Sequence, residues 1–245
     1  MRNTVLIDKE LSTKPSETVI ETKIEVVNQD TLTAAKELLD AGYHPAALNM
    51  ANRQKPGGGV FTGAGAQEEN LFRRSNLFMS MYQFSDLASL YGIWRAAKQY
   101  PLDRNYGGIY SPGVTVFRGE ERAGYPLLDE YYQVDIISVA GMNRPPMNED
   151  GEIIPPLVPG IKNKIRTILR IGILQNNDAL VLGALGCGAF GNPPAQIAHL
   201  FHEVLDEMEF QNRFSIIRFA ILEDHNSMRT GQEEGNFLPF LREFS

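Results

Sequence analysis

The chain has little of what specialised proteins rely on. Of its 245 residues one, Cys187, is a cysteine. An internal disulfide and a cysteine-rich zinc site are thereby excluded. No stretch approaches the roughly 20 apolar residues that a membrane span needs. The opening run MRNTVLIDKELSTKPSET contains no apolar core of signal-peptide length. A soluble, cytoplasmic protein is the expectation. Positive charge is in deficit, with a net charge of -7. A basic face for a nucleic-acid backbone is therefore not expected. A local site for an anionic ligand stays open, because backbone N–H groups and helix N-termini bind phosphate without net positive charge. There is no internal repeat and no low-complexity tract. What is present is ordinary globular usage: 43% hydrophobic, 22% charged and 9% aromatic. That excludes a disordered tail, a fibre and a coiled coil. A chain of this length buries roughly 70–75% of its extended surface and needs neither disulfide nor metal for stability.

Hydrophobic periodicity alternates between two and 3.6 residues. Strands are expected at residues 23–28, 46–51, 114–117, 134–140, 179–185 and 215–222. Asp30 reads as the N-cap of a helix carrying Leu32, Ala35, Leu38 and Leu39 on one face, with Gly42 as its stop. Further helices are expected at 67–82, near 86–98, around Ile161, Ile165, Ile168 and Leu169, around Ile197, Leu200, Phe201 and Val204, and near 238–244. The alternation implies one α/β domain over residues 1–245 with a parallel or mixed sheet, preceded by an irregular N-terminal extension at 1–20. Two long loops, 101–113 and 141–160, are candidates for function. Ligands in such sheets sit at the carboxyl ends of the strands. Both glycine-rich segments follow expected strands.

The first segment begins at Asn52 and contains Gly57, Gly58 and Gly59, then five glycines in all by Gly65. Glycine lets a backbone take positive φ and approach a ligand closely; a flexible connector is the plainer alternative. Gln67, Glu68 and Glu69 open the next helix. Acids in a first turn complement the helix dipole, and that alone accounts for many such residues. Two adjacent acids beside a glycine loop also suit acid–base chemistry. The dipole lowers a carboxylate pKa, whereas burial or a neighbouring carboxylate raises it. The second segment holds Gly186, Cys187, Gly188, Ala189, Phe190 and Gly191 between a buried strand and an amphipathic helix. Strand, glycine loop and helix N-terminus is an arrangement that cradles a pyrophosphate. Asn192 is placed to cap the helix. Phe190 either stacks on a ligand or packs into the core. No Walker A lysine follows the loop, which disfavours nucleotide hydrolysis of that kind. Cys187 has no evident histidine partner and reads as a small packing residue rather than a nucleophile. His199 and His202 lack the spacing of a metalloprotease pair, and His225 is a candidate for the rim of the site.

The arrangement of three glycines, seven residues and Gln67-Glu68-Glu69 resembles the GGG-x(6–8)-QEE signature of poly(ADP-ribose) glycohydrolases. The runs ALNMANRQKPGGG, QEENLFRRS and GALGCGAFGNPP resemble the compact bacterial-type branch, and the likeness extends from about Ala34 to Leu222. The resemblance implies a macrodomain-like fold, a mixed sheet between two helical layers with ADP-ribose in a cleft. It implies hydrolysis of the ribose–ribose O-glycosidic bonds of poly(ADP-ribose), from the chain end, in the reversal of ADP-ribosylation and the DNA damage response. Glu69 would be the acid. Glu68 would bind ribose hydroxyls, Gln67 would orient the site and Asn52 would bond the distal ribose. Gly57, Gly58 and Gly59 would approach ribose and diphosphate. Gly186, Cys187, Gly188, Ala189 and Gly191 would wrap the diphosphate, with Phe190 against the distal ribose. No cofactor or metal is implied. Expected partners are the polymer or ADP-ribose and ADP-ribosylated proteins, with no nucleic acid, no membrane and a monomeric state. Two rival readings share this pocket: a hydrolase of single ADP-ribosyl groups, and a module that binds ADP-ribose without cleaving it. The adenine contacts are sought in the N-terminal segment and the loop after Leu222.

Overall fold

The computed structural model describes residues 3–16, 20–223 and 234–245. His225 and most of the loop after Leu222 lie outside the described residues. Seven strands form one mixed sheet: β1 (Val5–Ile7), β2 (Lys23–Val27), β3 (Pro45–Met50), β4 (Gly108–Arg118), β5 (Leu127–Val139), β6 (Ala179–Leu182) and β7 (Ile216–Ala220). Their order is β1-β4-β5-β3-β6-β7-β2. From β5 through β3, β6 and β7 to β2 all neighbours are parallel, while β1–β4 and β4–β5 are antiparallel. β1 falls within the stretch expected to be irregular. Val5, Leu6 and Ile7 pair with Tyr110, Ile109 and Gly108 and so satisfy the backbone of the sheet edge.

The central strands are apolar on both faces, as parallel strands covered by helices must be. Ile137, Leu180 and Ile217 point to one core and Ile136, Val181 and Ile216 to the other. The first core receives α5 (Val158–Leu174), α6 (Pro194–Leu205) and α7 (Phe237–Glu243). The second receives α1 (Thr31–Asp40), α2 (Gln67–Arg74) and α3 (Leu77–Tyr82). The result is the three-layer α/β/α arrangement expected.

α1 starts where expected: Asp30 Oδ1 accepts from the Leu32 and Thr33 amides, each at 3.0 Å. The expected helix over 67–82 is instead two helices. Ser75 is extended and bridges Val116, and the Asn76 amide donates to the Thr115 carbonyl. Pairing with β4 outcompetes helical continuation there. The expected helix over 86–98 is reduced to α4 (Leu87–Leu90), because Gly92 at φ +64° turns the chain out. The loop expected at 101–113 ends early, since β4 begins at Gly108. No helix among the described residues is long and apolar enough to cross a membrane.

Candidate active site

The parallel strands end at one edge of the sheet, and their following loops enclose a cleft of about 360 Å³. Its walls come from the segments after β2, β3, β5, β6 and β7, from the turn between β4 and β5 and from the first turn of α2. This is where a ligand is expected in an open α/β sheet.

α2 begins without a side-chain cap, and Gln67, Glu68 and Glu69 occupy its first turn. Each is fixed differently. Gln67 Nε2 donates to the Leu48 carbonyl at 2.6 Å and to Thr31 Oγ1 at 3.1 Å, and Gln67 Oε1 accepts from the Met50 amide at 2.8 Å. It fastens α2 to the end of β3. Glu68 accepts through both oxygens, from the Asn52 amide at 2.8 Å and the Gly57 amide at 3.1 Å. Glu69 accepts through Oε1 only, from the Gly59 amide at 2.7 Å. Its Oε2 has no hydrogen-bond donor among the described residues.

Both glutamates are buried, at 4% and 6% exposure. Burial pushes the Glu68 carboxyl up from its ordinary 4.5 to about 8, against the two amides that favour its ionised form. Glu68 is therefore protonated at neutral pH. The folded state holds this proton more tightly than the unfolded chain does. Its stabilising contribution is complete below pH 4.5 and is lost as pH rises to about 8. The slope within that window is about 1.4 kcal/mol per pH unit. Glu68→Gln cannot ionise. The melting temperature of Glu68→Gln minus that of the wild type is thus expected to increase between pH 5 and pH 9. A difference that stays constant with pH in thermal melts overturns this.

The glycine loop is shaped by these carboxylates. Gly58 stands between them at φ +50°, where an added Cβ would overlap Glu69 Oε1 and lie 3.2 Å from Glu68 Oε2. Gly57, at φ +77°, leaves room for the Phe72 ring. Gly58 lines the cleft, whereas Gly57 and Gly59 do not; their amides are turned onto the glutamates. Asn52 lines the cleft. Its Oδ1 accepts from the Gln54 and Lys55 amides, which leaves Nδ2 without a partner among the described residues.

Across the cleft, Gly186, Gly188, Ala189 and Phe190 line the wall. The amides of Gly188, Ala189 and Phe190 have no acceptor among the described residues. Consecutive free amides form a concavity suited to an anion. The Phe190 ring is half-buried and belongs to the cleft, not the core. Two expectations fail on this side. Cys187 is fully buried in the core under the loop, its amide bonded to the Ala184 carbonyl and its thiol pushed above the usual range by burial. Gly191 does not reach the cleft, and its amide donates to the Gly188 carbonyl. Asn192 is not the helix cap; Pro193 holds that position. Asn192 Nδ2 instead donates to the Met142 carbonyl at 2.6 Å and the Gly186 carbonyl at 2.8 Å. It braces the loop after β6 against the loop after β5. His199 and His202 direct Nδ1 to Glu243 Oε1 at 3.1 and 2.8 Å and stand outside the cleft.

A family profile, microbial-type PARG catalytic domain, matches residues 1–119. A search of curated proteins finds no match. Among solved structures, poly(ADP-ribose) glycohydrolase from Thermomonospora curvata bound to the inhibitor ADP-HPD is 32% identical, with 99% of this chain and 86% of that one covered and a TM-score of 0.76. The enzyme from Deinococcus radiodurans in complex with ADP-ribose is 29% identical, with 92% and 85% covered and a TM-score of 0.71. The chain belongs to the microbial poly(ADP-ribose) glycohydrolase family.

Further residues line the cleft. Thr31 and Thr33 line the cleft, as do Glu120, Glu121 and Arg122 from the short turn between β4 and β5. Thr33 Oγ1 donates to Glu120 Oε1 at 2.7 Å, which ties that turn to α1. Asp30 also lines the cleft, and besides capping α1 it pairs with the buried Arg74 guanidinium at 2.7 Å. The usable signal was position: residues 28–33 follow β2 at the carboxyl edge of the sheet. Nothing in the local sequence marked the distant turn at Glu121–Ala123.

Proposed function

We propose that the protein hydrolyses the ribose–ribose O-glycosidic bonds of poly(ADP-ribose), acting from the chain end and releasing ADP-ribose. The observation that carries this reading is the pair of buried glutamates facing a loop of free amides across one cleft. The ligands of the two relatives, ADP-HPD and ADP-ribose, suit the same chemistry.

The free amides of Gly188, Ala189 and Phe190 receive the diphosphate, and Phe190 lies against the distal ribose. Asn52 Nδ2 donates to that ribose. Glu68, held by two amides and protonated at neutral pH, hydrogen-bonds the ribose hydroxyls. Glu69 is the acid. One oxygen is pinned by the Gly59 amide, and the other is free to meet the glycosidic oxygen. As the bond to the anomeric carbon breaks, the Glu69 proton passes to the leaving ribose oxygen. The developing oxocarbenium charge is stabilised by the carboxylate left behind and by the substrate's own diphosphate. Water then adds to the anomeric carbon, and Glu69 takes its proton and is restored.

The test is incubation of the purified protein with poly(ADP-ribose), with the products separated chromatographically. Monomeric ADP-ribose appearing from the earliest times is the expected result. Early release of oligomers overturns action from the end. No release, with ADP-ribose still bound in calorimetry, overturns the glycohydrolase reading in favour of a mono-ADP-ribosyl hydrolase or a binding module.

A further inference from the structure

Phe61 is 62% exposed, yet its ring has an aromatic neighbour. It sits in the single turn Val60–Thr62 and stacks on Tyr82, with centroids 6.4 Å apart and planes 22° from parallel. Tyr82 is itself buried, wedged against Phe72 at 5.8 Å and Tyr91 at 5.2 Å. One face of Phe61 thus meets a buried aromatic ring and the other is open to solvent. Exposure alone does not single Phe61 out, since Trp94 is 72% exposed; its place beside the proposed acid does.

The turn is also tied to the proposed acid. The Gly59 amide holds Glu69 Oε1 at 2.7 Å, and the Thr62 amide donates back to the Gly59 carbonyl at 2.9 Å. Phe61 is two residues from the amide that holds Glu69, within roughly 7 Å along the chain. It stands outside the cleft assigned to the terminal ADP-ribose. In the polymer, the leaving oxygen belongs to a ribose that carries adenine. A purine therefore lies one sugar away from the group that protonates that oxygen.

We propose that the open face of Phe61 is a stacking site for the adenine of the leaving unit. The proposal rests on the glycohydrolase reading above and adds a subsite beyond the scissile bond. Stacking accepts any base by its π-face and needs no hydrogen-bond readout.

The test uses two synthetic substrates: ADP-ribose joined from its distal ribose to the 2′-oxygen of adenosine, and the same compound with hydrogen in place of that adenine. The wild type is expected to prefer the first about tenfold in kcat/KM. Phe61→Ala is expected to lose that preference, falling about tenfold on the first substrate and staying within twofold on the second. Phe61→Trp retains the preference. Phe61→Leu, which keeps apolar bulk without a π-face, behaves as Phe61→Ala and serves if the alanine variant does not fold. Equal losses on both substrates would mean that Phe61 only supports Glu69, and the proposal falls. It falls equally if the wild type cleaves both substrates alike, in which case the glycohydrolase reading stands. A wild type that cleaves neither substrate, while ADP-ribose binding persists in calorimetry, overturns that reading and the subsite with it.

Discussion

Glu69→Gln is expected to lower the turnover of poly(ADP-ribose) by about 10²–10⁴-fold, the range that a positioned general acid contributes. ADP-ribose affinity in calorimetry is expected to change only severalfold. The amide has the size of the carboxyl, and its oxygen still accepts the Gly59 N–H. What it loses is the proton. The choice of Glu69 over its neighbour rests on geometry. Glu68 has both oxygens engaged by the Asn52 and Gly57 amides, whereas Glu69 keeps one oxygen without a protein donor among the described residues. Burial raises Glu68 to about 8 and keeps a proton on it at pH 7. An acid must reach the leaving oxygen before its pKa matters, so geometry is given precedence. The experiment decides between them. If Glu69→Gln retains turnover while Glu68→Gln abolishes it, the roles are reversed.

Much of this site was legible because glycine and carboxylate requirements are local. Three consecutive glycines, seven residues and then Gln67-Glu68-Glu69 at a helix start form a short-range pattern, and the chain folds back on itself there. The Asp30 cap of α1 and the apolar runs of β3, β6 and β7 were legible for the same reason. What could not be read depends on partners far along the chain. The break between α2 and α3 arises because Ser75 and Asn76 pair with Val116 and Thr115, some 40 residues on. The outer half of β5, from Leu127, is mostly exposed and carries no apolar alternation to betray it. Asn192 satisfies a helix-cap pattern, yet its amide is drawn to carbonyls of two loops. Cys187 lies within the second glycine-rich segment, yet it is buried beneath that loop, whose turn begins at the left-handed Gly186. The direction of Glu68's pKa shift follows from burial, which no local pattern reports.

Gly58→Ala is expected to be nearly as damaging as loss of the acid, although it removes no functional group. At φ +50° an alanine is strained by about 1–2 kcal/mol. Its methyl group would overlap Glu69 Oε1 and crowd Glu68 Oε2 at 3.2 Å. The loop cannot simply lift away. The Gly57 and Gly59 amides are bonded to those same two glutamates, and Phe72 packs where a Gly57 side chain would be. The Glu69 carboxyl must therefore turn or shift by a substantial fraction of an ångström, which costs on the order of 10²-fold in rate where a proton donor must meet a leaving oxygen. The expected result is a fall of about a hundredfold in kcat, with a melting temperature lowered by only a few degrees. Gly63, in the same loop at φ +78° with open space around it, is the control. Gly63→Ala carries the backbone strain without the contact with the glutamates, and its kcat is expected to stay within threefold of the wild type. Equal losses of kcat in the two variants would mean that loop strain, not the position of the carboxylates, governs the rate.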